Sequence, residues 1–291
     1  MSLEQFTLAR TVTMDRIVPD RLIGRSIVFP PAIYATLGAV YGGTLEATAI
    51  PLAHYLGVRT SNDDLALAYC LTRDAGAQME ITLQTPGYLV PLYREIVQPY
   101  WCLKEGQSSN SQILRCSVSY QTLWRYQMQS NGQIMHATSP CLHYQVQEEW
   151  GLLQILELYT VHDNIRAGFV WREDHPAPRP ERSLLRELTN NLRPSLLQYT
   201  IPHTTISESY DLTDDLLAEG VEIDQWAAML NGHRVLHKIL INATLELSPS
   251  GVHKPKDLGD QTCDQLEVTS ACTFYLREQI NDLLLCAAHL E

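Results

Sequence analysis

The middle of the sequence, residues 64–172, alternates short strand-like segments with turn residues, and this pattern constrains the fold most. The candidate strands are Leu65–Leu71, Gln78–Gln84, Ile113–Trp124, Ile134–Ala137, Leu142–Val146 and Leu153–Val161. They are short, partly alternating apolar segments bounded by Gly, Pro, Asn, Asp and Ser, as strands usually are. Asn131-Gly132 is the strongest hairpin signal, because this pair favours the tight turns that join antiparallel strands. The pattern predicts an α+β protein whose N-terminal two-thirds is rich in β-structure.

The remainder of the chain is predicted to be mainly helical. Residues 174–182 contain Pro176, Pro178 and Pro180, which predict an extended linker. Helices are expected at 183–191, 223–245 and 261–289. The domains are therefore predicted as a mainly β half (1–173), a linker (174–182) and a mainly helical half (183–291). An apolar stripe along 261–289 indicates packing within the chain or a homodimer seam.

Composition excludes several classes of protein. The 291 residues include 33 acidic and 21 basic side chains, for a net charge of −12. This charge argues against a general nucleic-acid-binding role, which needs Lys and Arg to neutralise phosphates. There is no apolar run of about 18 residues, so we expect no membrane span. The N-terminal residues lack the pattern of a secretory signal. The seven cysteines form no C-x-x-C pair, which argues against a disulfide framework or zinc site and favours a cytoplasmic protein.

One residue pair suggests a metal. His233 and His237 are four positions apart in the helix predicted at 223–245, so both imidazoles would lie on one face. A third ligand could come from His203 or Glu222. The alternative is a pair of hydrogen-bonded histidines at the edge of the core. Apart from this divalent metal, no cofactor is predicted, because phosphate-cradle, dinucleotide-binding and nucleophile-elbow motifs are absent.

Further groups of polar side chains have both a chemical and a structural interpretation. Cys141 and His143 would share a strand face, where an imidazole can activate a thiol. The alternative is an ordinary mixed strand face. The other groups are His162-Asp163, Asp63-Asp64 and Asp214-Asp215. The first is consistent with a polar turn, and the two acidic pairs are consistent with helix N-terminal charge.

The segment Gly24-Arg-Ser-Ile-Val-Phe-Pro-Pro-Ala-Ile-Tyr34 resembles the start of polyketide-synthase dehydratase and product-template domains. Residues 119–139 resemble the later strands of the first half of those domains. The resemblance implies a double hot-dog fold and a dehydratase-like activity. The catalytic histidine of the family falls near Asp20 or Arg21, and neither is histidine. For the catalytic acid, Asp163 and Asp174 are the candidates.

These observations favour a soluble enzyme of secondary metabolism, a dehydratase-like lyase or cyclase. Its partner would be a small apolar organic substrate, free or linked to a carrier protein or CoA. Tyr34 is predicted to orient the substrate. The residues predicted to transfer protons are Asp20, His54, His136 and His143. The alternatives are a non-catalytic assembly or interaction protein, such as a viral structural component, and a metal-dependent enzyme using His233 and His237.

Overall fold

The computed structural model describes most of the chain. The residues described are 26–41, 50–53, 76–85, 90–97, 103–107, 111–173, 182–218, 220–221, 236–254, 263–268, 271–280 and 283–290. They divide into two compact units. The first takes in the described residues between 29 and 119 and between 208 and 243. The second takes in 26–28, those between 120 and 207, and those from 244 onward.

Four helices and sixteen strands are described. The helices are α1 (Pro30–Tyr41), α2 (Pro91–Val97), α3 (Arg182–Asn191) and α4 (Thr213–Ala218). The first eight strands are β1 (Ile27–Val28), β2 (Gln78–Thr85), β3 (Leu103–Gln107), β4 (Ile113–Gln121), β5 (Trp124–Tyr126), β6 (Gln129–Asn131), β7 (Ile134–Glu148) and β8 (Gly151–Tyr159). The others are β9 (Ile165–Arg172), β10 (Arg193–Pro202), β11 (Thr204–Asp211), β12 (Lys238–Leu247), β13 (Gly251–His253), β14 (Asp264–Glu267), β15 (Cys272–Glu278) and β16 (Leu283–Leu290). None of the described helices is long and apolar enough to cross a membrane.

The largest sheet has nine strands in the order β1-β16-β15-β9-β8-β7-β10-β14, with β6 also paired to β7. Its pairs are antiparallel except β10 with β14, which run parallel. One face of this sheet packs against α3, where Leu185, Leu188 and Leu192 contact Ile155 and Val170. The amphipathic pattern of α3 fits this position, since its leucines recur at three- and four-residue steps. The helix predicted at 183–191 is therefore confirmed.

A second sheet has five strands in the order β11-β12-β4-β2-β3. More and less buried residues alternate along β2, β4 and β12, and β12 buries every second residue. The predicted strand Gln78–Gln84 corresponds to β2 and is confirmed. A short third sheet pairs β13 with β5 in parallel.

The helices predicted at 223–245 and 261–289 are wrong where the structure describes them. Residues 238–247 form β12, in which the buried Ile239, Ile241 and Ala243 alternate at a period of two with less buried residues, all polar except Leu240. Residues 272–278 and 283–290 form β15 and β16, whose near-continuous apolar sequences suit strands buried on both faces. The alternating three- and four-residue spacing along 261–289 therefore does not belong to a helix in the described residues, and the homodimer seam inferred from that spacing has no basis. The linker predicted at 174–182 lies outside the described residues except for Arg182, and the division at that linker stays a prediction.

Candidate functional site

The centre of the five-stranded sheet is a pair of parallel strands, β4 and β12. Hydrogen bonds join Gln112 to His237, Ser117 to Asn242 and Thr122 to Glu246, at sequence separations of 125, 125 and 124 residues. This near-constant separation shows that the two strands run in the same direction. β12 runs antiparallel to its other neighbour, β11, because the separation falls from 37 to 33 residues along that pair.

Immediately after β12 the chain is held by Thr122 and Trp124. The Ser248 amide donates to Thr122 Oγ1 at 3.1 Å, and Ser248 Oγ donates to the Thr122 carbonyl at 3.3 Å. The Trp124 indole, fully buried, donates from Nε1 to the Ser248 carbonyl at 2.6 Å, and its backbone amide donates to the Ser250 carbonyl at 3.0 Å. A buried indole N–H needs an acceptor, so the tryptophan fixes the path of the chain here.

The chain then forms β13, which pairs with β5. The amides of Gln127 and Met128 donate to the carbonyls of His253 and Pro249, at 2.7 and 3.0 Å. Gly251 lies so close to β5 that an added Cβ would be 2.6 Å from Gln127 Cα, which is backbone and cannot give way. Only glycine allows this approach. Residues 248–253, which we call the anchored segment, are thus bound by six hydrogen bonds.

The chain from the anchored segment to β14 is restrained at both of its ends. β14 begins at Asp264 and pairs in parallel with β10. We call residues 254–263 the connecting segment; 255–262 lie outside the described residues. The two segments contain Pro249 and Pro255, which lack a backbone N–H.

Of the predicted catalytic residues, Asp20 and His54 lie outside the described residues. Tyr34 is fully buried in α1. His136 and His143 lie on β7, seven positions apart and on opposite faces of the strand, so the structure does not bring these two together. His136 hydrogen-bonds Gln129 at 3.1 Å. The catalytic roles of these residues stay predictions.

The Cys141–His143 pair has the environment of a strand face, not of an activated thiol. Burial raises the pKa of Cys141 to about 12, and its Sγ donates to the Ser195 carbonyl at 3.7 Å. Burial lowers the pKa of His143, which keeps that imidazole neutral. A protonated thiol is a weak nucleophile at neutral pH, so this geometry does not favour covalent catalysis.

The predicted metal ligands are only partly described. His233 lies outside the described residues, whereas His237 directly precedes β12 and is in neither a helix nor a strand. There the Gln112 amide donates to His237 Nδ1 at 3.2 Å. The helical spacing used for the prediction therefore does not apply to His237. Among the described residues, no group of three or more His, Cys, Asp or Glu is placed to hold a metal ion.

Two other acidic candidates, Asp163 and Asp214, lie in positions that have a structural explanation. Asp163 forms an exposed ion pair with Arg125, in the turn between β8 and β9. Asp214 lies in the first turn of α4, where a negative charge stabilises the helix N-terminus. Asp63, Asp64 and Asp174 lie outside the described residues.

Sequence reasoning missed a buried charge cluster in the nine-stranded sheet. Glu157 on β8 is completely buried. Arg277 Nε and Nη2 donate to its two oxygens at 2.6 and 3.0 Å, and Tyr275 Oη donates to Oε1 at 2.6 Å. Burial, and then the Glu157 charge, raise the pKa of Tyr275, so the phenol stays protonated. No local motif predicts this cluster, because Glu157 on β8 is 118 and 120 residues away in sequence from Tyr275 and Arg277 on β15.

Gly168 on β9 makes room for the cluster. Tyr275 is its cross-strand partner, and the phenol ring occupies the space that a side chain at 168 would need. The ring thereby crosses β9 and reaches Glu157 on the far side. With both carboxylate oxygens bonded, the cluster has the features of a structural ion pair, not of a reactive site.

Comparison with known proteins identifies the fold. No family model matches the sequence, and no curated protein matches it. The structure is similar to that of native protease nexin-1 with heparin, with a TM-score of 0.78, 13% identity and coverage of 98% of both chains. It is also similar to a serpin from the trematode Schistosoma haematobium, with a TM-score of 0.77, 13% identity and coverage of 99% of this chain and 98% of that one. A third similar structure is human thyroxine-binding globulin with thyroxine, with a TM-score of 0.74, 12% identity and coverage of 98% of this chain and 97% of that one.

The chain therefore has the serpin fold. The double hot-dog fold implied by the resemblance at Gly24–Tyr34 is wrong, because the match to serpin structures extends over nearly the whole chain. That resemblance covered about a dozen residues, which here form β1 and the start of α1. The dehydratase-like lyase or cyclase activity and the apolar, carrier- or CoA-linked substrate are withdrawn with it. The non-catalytic alternative agrees better with the fold.

Proposed function

We propose that this chain is a non-catalytic binding protein that offers its connecting segment, residues 254–263, to a protein partner such as a protease. Two of the similar structures support a partner of this kind through their names, protease nexin-1 and protein Z-dependent protease inhibitor. The observation that carries the proposal is the anchored segment. It holds the chain firmly just before the connecting segment, and a restrained chain loses less conformational entropy on binding.

The mode of binding follows from the same contacts. In serpins a reactive loop can insert into a β-sheet as an added strand. Here, insertion that began at Ser248 would break the six hydrogen bonds of the anchored segment, each contributing about 0.5–1.5 kcal/mol. It would also place Pro249 and Pro255 in a central strand, where each would leave a ladder position without a donor. We therefore expect reversible binding without insertion.

The second candidate function is protease inhibition by insertion, and one observation favours it. β4 and β12 are parallel neighbours, so a strand inserted antiparallel between them would find hydrogen-bonding partners on both sides. Inhibition by insertion predicts a large gain in stability after cleavage within 254–263. Reversible binding without insertion predicts no such gain.

Two measurements separate these candidates. The full chain is incubated with trypsin-like and chymotrypsin-like proteases, and denaturing gels are examined for stable covalent complexes. Chain nicked within 254–263 is then purified, and its melting temperature is compared with that of intact protein. We expect no covalent complex and a Tm within a few degrees of the intact value. A complex, or a rise of tens of degrees, would establish insertion and contradict the proposed mode.

Two sets of variants make these experiments specific. In the first, residues 255–262 are replaced by Gly and Ser. Reversible binding, measured as affinity for catalytically inactivated proteases, should disappear in this variant while its Tm is retained. The second carries Pro249→Ala and Pro255→Ala, which restore the two missing N–H donors. If nicking this variant raises its Tm while nicking the parent does not, the prolines oppose insertion.

A further inference from the structure

On the outward face of the five-stranded sheet, Asn242 of β12 is flanked by small polar side chains on both neighbouring strands. Residues of β12 alternate between core and exterior, with Ile241 and Ala243 buried and Asn242 and Thr244 half-buried on the other face. The neighbours of Asn242 across the sheet are Ser117 on β4 and Ser209 on β11, both exposed. The direct cross-strand neighbours of a group attached at Asn242 would therefore be two short serine side chains.

Asn242-Ala243-Thr244 is the one Asn-x-Ser/Thr triplet in the sequence whose middle residue is not proline. This triplet is the acceptor signal for N-linked glycans, and it is used where the asparagine can face solvent in the folded protein. In an extended strand, residues two apart lie on the same face. Both essential side chains of the triplet thus lie on the outward face. A shift of one position would have buried both.

The hydrogen bonds of Asn242 are compatible with modification. Its Oδ1 accepts from Ser209 Oγ at 2.7 Å, and its Nδ2 donates to Ser117 Oγ at 3.4 Å. An amide nitrogen carries two hydrogens. Replacement of the other one by a sugar leaves the number of protein hydrogen bonds unchanged. The two serines also hold the amide plane between β4 and β11.

We propose that Asn242 is an N-glycosylation site, occupied when the chain passes through a compartment that contains an oligosaccharyltransferase. The donor is an oligosaccharide joined through a diphosphate to a polyprenol lipid. Asn242 Nδ2 attacks C1 of the first sugar, forming the N–C1 bond. The bond from C1 to the diphosphate oxygen breaks, and the lipid diphosphate leaves with its electron pair. The amide proton passes to a base of the transferase.

A glycan at this position would cover the part of the outward face formed by β4, β12 and β11. This inference does not depend on the proposed function, because it rests on Asn242 and its neighbours alone.

The test uses the full chain, secreted from eukaryotic cells behind a cleavable leader. Peptide N-glycanase treatment should increase gel mobility by one step and convert Asn242 to Asp in the peptide that contains it. Asn242→Gln and Thr244→Ala should abolish the mobility step, whereas Thr244→Ser, which preserves the signal, should retain it. Asn242→Gln keeps a side-chain amide, and its Tm shows whether folding is intact.

Two results would overturn the proposal. One is folded, secreted parent protein whose Asn242 peptide is unmodified. The other is a glycanase-sensitive step that persists in Asn242→Gln. If the chain is not secreted, translation into microsomes reports the same modification by the same mobility step. Absence of the step there, in the presence of a control glycoprotein that is modified, also contradicts the proposal.

Discussion

Gly168→Ala should destabilise the protein far more than a single added methyl group suggests. An ideal Cβ at this position falls under 3.0 Å from three atoms of the Tyr275 phenol, and real Cβ atoms essentially never approach so closely. Tyr275 is completely buried, so its ring has no open space in which to move. The phenol that must shift also donates a 2.6 Å hydrogen bond to Glu157.

The magnitude follows from two costs. Overpacking a well-packed core costs about 1–3 kcal/mol. Losing a hydrogen bond to a charged group costs about 1.5–3 kcal/mol. Together they give roughly 3–6 kcal/mol. At about 2–4 °C per kcal/mol for chains somewhat shorter than this one, the melting temperature should fall by roughly 6–24 °C.

A double-mutant cycle isolates the cause. The free energy of unfolding is measured by urea denaturation for Gly168→Ala, Tyr275→Ala and the double variant. With the ring removed, Gly168→Ala should be nearly neutral or slightly stabilising, since Gly is the poorer strand residue by roughly 0.5–1 kcal/mol. An equal cost of Gly168→Ala in both backgrounds would refute the reasoning, because the ring would then not be what the new methyl group meets.

Three further perturbations test separate parts of the structure. Arg277→Leu leaves the Glu157 carboxylate buried without its cation and should cost about 3–5 kcal/mol of unfolding free energy, whereas Arg94→Leu, at an exposed ion pair, should cost less than about 1 kcal/mol. Gly251→Ala should detach the anchored segment and speed its proteolysis without unfolding the sheets; an unchanged rate of cleavage would contradict the close contact between Gly251 and the backbone of Gln127. Because burial lowers the pKa of His143, the unfolded state binds the proton more readily, and the free energy of unfolding should fall as the pH drops below about 6.5. The fall should be less steep in His143→Gln, and parallel profiles of unfolding free energy against pH for the two proteins would contradict this.

Local signals predicted parts of this fold well. The Asn131-Gly132 turn does join two antiparallel strands, β6 and β7, with Gly132 at a positive φ of 65°. The predicted strand at 78–84 and helix at 183–191 are also confirmed. The apolar residues of the strand recur every two positions, and those of the helix recur every three or four. In each case the information lies within a few neighbouring residues.

The C-terminal third was mispredicted because two periods overlap in its sequence. Leu266, Leu276 and Leu283 recur at spacings that fit a helical stripe, yet they lie on three different strands. Strands buried on both faces lack the alternation that identifies a half-exposed strand, so periodicity alone cannot distinguish them from a buried helix.

The candidate site depends on contacts between distant parts of the chain. The composition of Ser248-Pro249-Ser250-Gly251 favours a loop. What fixes it is Trp124, which lies 124 residues earlier in the sequence. A single sequence contains no signal for that pairing. The Glu157 cluster is of the same kind, since Arg277 is 120 residues away.

The separation of 125 residues between the partners of β4 and β12 also has a consequence for biosynthesis. A ribosome adds about 5–20 residues per second, so β4 emerges roughly 6–25 s before its central partner exists. During that interval one edge of β4 is a template for pairing with other nascent chains. Ser117, Ser119 and Gln121 alternate along that strand and interrupt its apolar residues, which makes the waiting strand less prone to aggregation. The order in which the chain is synthesised thus places a solubility requirement on a strand that the finished protein keeps at the centre of its sheet.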